Sequence, residues 1–115
     1  MKVKGTLPSF IMVSDTDLCV LLSNALENAL HACESFAAAK EACVIDVQFY
    51  NRDERLFLQV ENPCRDDIPF ENGIPVSNEP GHGIGVQSIC AIVERYGGMY
   101  TFLVQNHHFI LRLSL

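Results

Sequence analysis

Residues 18–33 hold the feature that most restricts how this chain can fold. Leu18, Leu21, Leu22, Ala25, Leu26, Ala29, Leu30 and Cys33 recur at i, i+3, i+4 and i+7, the spacing of a helix with one buried face. Ser14, Asp15, Thr16 and Asp17 stand just before it. They offer side-chain oxygens to cap the first amide groups and negative charge to complement the helix dipole. At about 100° per residue, Asn24, Asn28 and Ser35 fall in a narrow polar stripe along the flank of the apolar face. A side chain on a flank is held by the core and can still reach a ligand. The chain has 115 residues, 49% of them hydrophobic, which is room for one core and for one domain over residues 1–115.

The partner for that helix is predicted to be a sheet. Ile45, Val47 and Phe49 alternate with Asp46, Gln48 and Tyr50; residues 51–54 read as a turn; Leu56, Leu58 and Val60 alternate on the return. An extended N-terminal segment containing Pro8 is expected to supply an edge strand at residues 10–13. Val86, Ile89, Cys90 and Val93 restore helical spacing, and Gly97-Gly98 stop that second helix. A last hairpin is expected from Met99–Gln105, a turn near residues 106–108, and a strand with Phe109, Leu111, Leu113 and Leu115 on one face. The order predicts an α+β fold, a two-layer α/β sandwich whose mixed sheet carries its helices on one face.

Charge narrows the class of partner. The formal net charge of −6 argues against nucleic acid and against an anionic membrane surface. An anionic ligand would have to be met by local donors and a metal ion. Cys19, Cys33, Cys43, Cys64 and Cys90 are odd in number and include no CxxC pair, which suits reduced, mostly buried thiols of a cytosolic domain. The sequence has no signal pattern, and no apolar run approaches the roughly 18 to 20 residues of a membrane span.

Residues 62–85 lose all periodicity and gather Pro63, Pro69, Gly73, Pro75, Pro80, Gly81, Gly83 and Gly85. So long an irregular stretch in a small domain reads as a loop that covers a ligand. At its end, Gly81, His82, Gly83, Ile84 and Gly85 run directly into the second helix. Glycines let backbone N–H groups turn toward a phosphate, and a helix N-terminus adds partial positive charge; a plain turn is the other reading. The stretch is neither GxxxxGK[ST] nor a dinucleotide fingerprint after a strand. Asn24 and Asn28 are either solvated surface or hard neutral oxygen donors suited to Mg²⁺. Asn62, before Pro63, is either a turn residue or a side-chain amide able to pair with adenine.

In combination these segments resemble the GHKL superfamily, the ATP-binding fold shared by gyrase, MutL and histidine kinases. Leu22-Ser23-Asn24-Ala25-Leu26-Glu27-Asn28-Ala29 is similar to its N box. Val60-Glu61-Asn62 stands where the family has its first glycine-box aspartate, and Gly81 to Val86 resembles the second glycine box. His82-Gly83-Ile84-Gly85-Val86 looks most like the HGxGL box of peptide-pheromone receptor kinases. The resemblance spans residues 7–115 and implies a Bergerat-type ATP-binding domain of a sensor histidine kinase in a two-component system. It implies that Asn28 binds Mg²⁺ with Asn24 assisting, that Asn62 contacts adenine, and that Gly81, His82, Gly83, Ile84, Gly85 and Val86 wrap the phosphates of ATP. Residues 63–80 would be the mobile ATP lid.

The same resemblance sets the reaction and the partners. In the ATPase branches a glutamate one turn before the metal asparagine activates water; Asn24 holds that place here and cannot act as a base. Glu27 lies about 100° around the helix from Asn28. Transfer to a protein acceptor is therefore expected in place of hydrolysis. The acceptor would be a histidine on a separate dimerisation domain, with a response regulator downstream, because His31, His82, His107 and His108 all sit at poor positions. The fragment is expected to be a monomer, the cytosolic part of a membrane-anchored receptor kinase, without direct membrane contact. Asn62 replaces the usual aspartate, Pro63-Cys64-Arg65 replace the glycines after it, and Arg65 is the lone cation of the lid. The alternatives are an anti-sigma-factor serine kinase, an interaction module that has lost its nucleotide, and a bland α/β domain whose glycines are ordinary turns.

Overall fold

The computed structural model describes residues 2–4, 13–36, 44–53, 55–64, 68–76 and 83–115. Its first helix, α1 (Asp15–Phe36), begins where the capping residues predict. Ser14 Oγ accepts a hydrogen bond from the Asp17 amide at 3.1 Å, and its carbonyl takes the first helical bond from the Leu18 amide. Such a cap contributes about 1 kcal/mol. Leu21, Ala25 and Ala29 are buried, but Leu30 is 48% exposed. Successive i+4 steps advance about 40° around a helix, so the row Leu18, Leu22, Leu26, Leu30 drifts off the buried face before its end.

α1 lies against a five-stranded mixed sheet of order β1-β2-β3-β7-β6. β1 (Lys2–Lys4) runs parallel to β2 (Asp46–Arg52), and every other pairing is antiparallel. The edge strand therefore sits at Lys2–Lys4; of the predicted edge at residues 10–13, residues 10–12 lie outside the described residues and Val13 is a buried bend. β2 continues through Arg52, so the predicted turn at residues 51–54 is shorter, with Asp53 at φ 52°. β3 (Arg55–Pro63) buries Leu56, Leu58, Val60 and Asn62 on its helix-facing side.

Within the stretch read as structureless, β4 (Phe70–Glu71) and β5 (Ile74–Pro75) form a small hairpin. Its turn is Asn72-Gly73 with both φ positive, 54° and 77°, the Asn-Gly pattern that suits a tight hairpin. α2 (Gly83–Arg95) packs on α1 and closes with a Schellman motif. There the Gly97 amide donates to the Glu94 carbonyl and the Gly98 amide to the Val93 carbonyl, with Gly97 at φ 68°. β6 (Met99–Gln105) and β7 (His108–Ser114) form the last hairpin around Asn106 and His107, both at positive φ.

Both helices and one sheet face share a single core. Leu21, Ala25, Val60, Ile89, Val93, Phe102 and Leu111 are among its buried members. Cys64 and Cys90 belong to it, and Cys19 is exposed. A polar clasp ties the start of α1 to the end of α2. The Tyr96 hydroxyl donates to Asp17 Oδ2 at 2.5 Å, Arg95 Nη1 donates to Asp17 Oδ1 at 2.9 Å, and the Ser14 amide donates to Tyr96 Oη at 3.1 Å. The Tyr96 hydroxyl, then Arg95 and Ser14, hold the Asp17 carboxyl below its usual range. Among the described residues no helix is long and apolar enough to cross a membrane.

Candidate functional site

Of the polar stripe predicted on α1, Asn24 and Asn28 are described, and the side chain of Ser35 lies outside the described residues. Asn24 and Asn28 are half-buried, three and seven residues on from buried Leu21, while Glu27 is exposed and lies about 100° around the helix from Asn28. α2 brings its first turn up to this stripe. A Cβ built on Gly85 would lie 3.3 Å from Asn24 Oδ1, so the asparagine side chain meets the amide-rich end of α2. The first amide groups of a helix have no intrahelical partner and carry the positive end of its dipole. Gly83 and Ile84 start that helix, Val86 is buried in the core, and Gly81 and His82 lie outside the described residues.

Asn62 occupies the end of β3. It is 1% exposed and faces the helices with Leu58 and Val60. Its Nδ2 donates to the Pro63 carbonyl at 3.0 Å, and its Oδ1 is buried with no hydrogen-bond partner among the described residues. An unsatisfied buried acceptor costs about 1–3 kcal/mol. This oxygen is therefore suited to a donor brought by a ligand, such as an exocyclic amine. The strand continues past Asn62 through a hydrogen bond from the Cys64 amide to the His107 carbonyl at 2.8 Å, which fixes the backbone on which the amide is mounted.

The register also places an aromatic group here that the sequence reading does not single out. Phe109 is the cross-strand partner of Asn62, and its buried ring lies 6.4 Å from the ring of Phe70 at 27°. The signal for Phe70 was present in the sequence: an aromatic beside Pro69, just before Asn72-Gly73. An open hollow of about 350 Å³ lined by Glu61, Gln105, Asn106, His108, Ile110 and Arg112 lies elsewhere. Glu61 precedes Asn62 on the strand, so the two side chains take opposite sheet faces, and the hollow is on the face away from the helices.

For a metal ion, the arrangement offers Asn28 as a neutral oxygen donor one turn from Asn24. Among the described residues no group of three or more His, Cys, Asp or Glu side chains could hold an ion by itself. A single hard oxygen fits Mg²⁺ carried largely by substrate phosphates and water.

Comparison with known proteins adds an independent line. A family model described as a GHKL domain matches residues 13–115. No curated protein matches the chain. Among solved structures, the mycobacterial sensor histidine kinase MprB is similar at 20% identity and a TM-score of 0.74, over 99% of this chain and 78% of that one. The catalytic domain of histidine kinase ThkA gives 15% identity and 0.74, over 98% and 75%. The histidine kinase AdeS of Acinetobacter baumannii gives 16% and 0.71, over 99% and 53%.

Proposed function

The chain belongs to the GHKL domain family, and we propose that it binds Mg-ATP and donates the γ-phosphoryl group to a histidine on a separate dimerisation domain. The observation that carries the reading is the buried, unpartnered Oδ1 of Asn62, on a strand packed under the helix that bears Asn24 and Asn28.

In this reading Asn62 Oδ1 accepts from the exocyclic amine of adenine. The Nδ2 bond to Pro63 keeps the oxygen turned toward the base. The amide groups at the start of α2, with Gly83 and Gly85 free of side chains, take phosphate oxygens. Gly81, His82, Ile84 and Val86 complete that box by family resemblance. Asn28 would hold Mg²⁺, with Asn24 placed beside it against Gly85. The ion would neutralise charge on the phosphates as the phosphoryl group leaves.

The reaction type follows from what stands beside Asn28. Asn24 has no basic form, and Glu27 is exposed on another face. With no base beside Asn28 among the described residues to activate water, the chain is suited to transfer onto a protein histidine, with a response regulator receiving the group next. This is the work of a sensor-kinase catalytic domain on the cytosolic side.

Calorimetric titration with ATP, with and without Mg²⁺, tests the reading on the unaltered chain and on Asn28→Ala. The expected result is Mg²⁺-dependent binding that weakens at least about tenfold in the variant, or about 1.4 kcal/mol. Absence of binding at millimolar ATP would leave an interaction module that kept the fold and lost the nucleotide.

A further inference from the structure

The reading above gives the edge of the base a partner in Asn62 and leaves the flat face of the base without one. We propose that Phe70, on the β4–β5 hairpin, is the aromatic wall against which that face stacks. The inference rests on the nucleotide reading and goes beyond it by naming a residue that fixes the base.

Three observations carry it. First, position: Phe102, Phe109 and Phe70 form a run of rings at 6.1 and 6.4 Å centroid spacing, and Phe109 is the register partner of Asn62. Paired Cα atoms lie only about 4.5–5.5 Å apart, so the run passes directly beside the amide. Second, exposure: Phe102 and Phe109 are 5% and 4% exposed, whereas Phe70 is 37% exposed. The last ring of the run therefore has one side packed on Phe109 and another open.

Third, rigidity. Two-residue strands are too short to persist unaided, yet this hairpin is anchored. Ile68 and Ile74 pack against the core, the Val76 amide donates to the Pro69 carbonyl at 3.0 Å, and β5 touches β6. The Asn72-Gly73 turn fixes its register. Phe70 is thus held as part of the framework and needs little ordering to receive a planar ring. An aromatic face suits any purine, because stacking depends on the π-surface. Selection for the amine then falls to Asn62.

The test uses the chain as it stands, which contains no tryptophan. Phe70→Leu keeps apolar bulk on the hairpin and removes the ring; Phe70→Trp keeps a ring and introduces a unique fluorophore. Thermal melts of each variant report whether the fold is retained. The expected result is that Phe70→Leu loses affinity for Mg-ATP on the order of tenfold with its melting temperature little changed. Phe70→Trp is expected to bind like the parent, and its emission to change on ATP addition with the saturation seen by calorimetry. Equal ATP affinity in Phe70→Leu and the parent would overturn the proposal. So would tryptophan emission that stays constant while calorimetry shows ATP bound. If the unaltered chain binds no ATP, the nucleotide reading itself fails and this inference with it.

Discussion

Asn24 Oδ1 stands 3.3 Å from the point where a Cβ on Gly85 would sit. The contact joins the polar flank of α1 to the first turn of α2, two segments 61 positions apart in the sequence. It fixes where the two halves of the candidate site meet, and it makes Gly85 a position where fold and function can be separated.

For Gly85→Ala the stability terms nearly cancel. Alanine in a helix gains about 0.8–1.0 kcal/mol over glycine, and the opposing contact is with the end of a side chain that can shift by a few tenths of an ångström. The melting temperature is expected to move by no more than about 5 °C. Affinity for Mg-ATP, by contrast, is expected to fall at least about tenfold, because the methyl group fills the cradle beside Asn24. Calorimetry and a thermal melt on the same sample check both parts.

Gly98 poses a different restriction. A Cβ there would lie 1.8 Å from the Ser114 carbonyl oxygen and 2.9 Å from its carbon, so the backbone of β7 would have to move. Gly98→Ala is expected to cost about 3 kcal/mol, lowering the melting temperature by about 10 °C. Gly97→Ala meets nothing within 4 Å but keeps φ at 68°, which costs about 1–2 kcal/mol for an L-residue. The order of the two melts is the check: Gly98→Ala should be the lower.

The clasp between α1 and α2 makes stability depend on acid. The Tyr96 hydroxyl, and then Arg95 and Ser14, lower the Asp17 pKa from 3.8. A carboxyl with a lowered folded pKa stabilises the fold in full above its unfolded value, and that contribution disappears as pH falls through the folded value. Asp17→Asn is expected to unfold at lower urea than the parent at pH 7, with the gap narrowing as pH drops below about 3.8. Urea midpoints at pH 7 and pH 3 measure the gap.

How much of this was legible in the sequence depends on the range of the interaction. Leu21, Ala25 and Ala29 were readable as core because helix periodicity is local, and Ser14 as a cap for the same reason. Leu30 departs from the expected buried face because the apolar row it continues slips around the helix. The Asn72-Gly73 hairpin was hidden because two-residue strands show no alternation, although the turn dipeptide itself was visible. The partnership of Asp17 with Arg95 and Tyr96 spans some 78 residues, and no local pattern encodes it. Of the proposed site residues, Asn24, Asn28 and Asn62 stand out in the sequence by type and spacing. The pairing of Asn62 with Phe109, and so with Phe70, required the sheet order that places β7 beside β3.

If Asn62 Oδ1 receives the donor edge of the nucleotide base, as proposed, Asn62→Leu removes that acceptor. Replacing the amide by an apolar side chain of similar size removes an unsatisfied acceptor and also the Nδ2 bond to the Pro63 carbonyl, two effects of opposite sign. The melting temperature without nucleotide is therefore expected to change little, while Mg-ATP affinity measured by calorimetry falls at least about tenfold. Mg-ATP affinity in Asn62→Leu equal to that of the parent would mean that Asn62 does not receive the base.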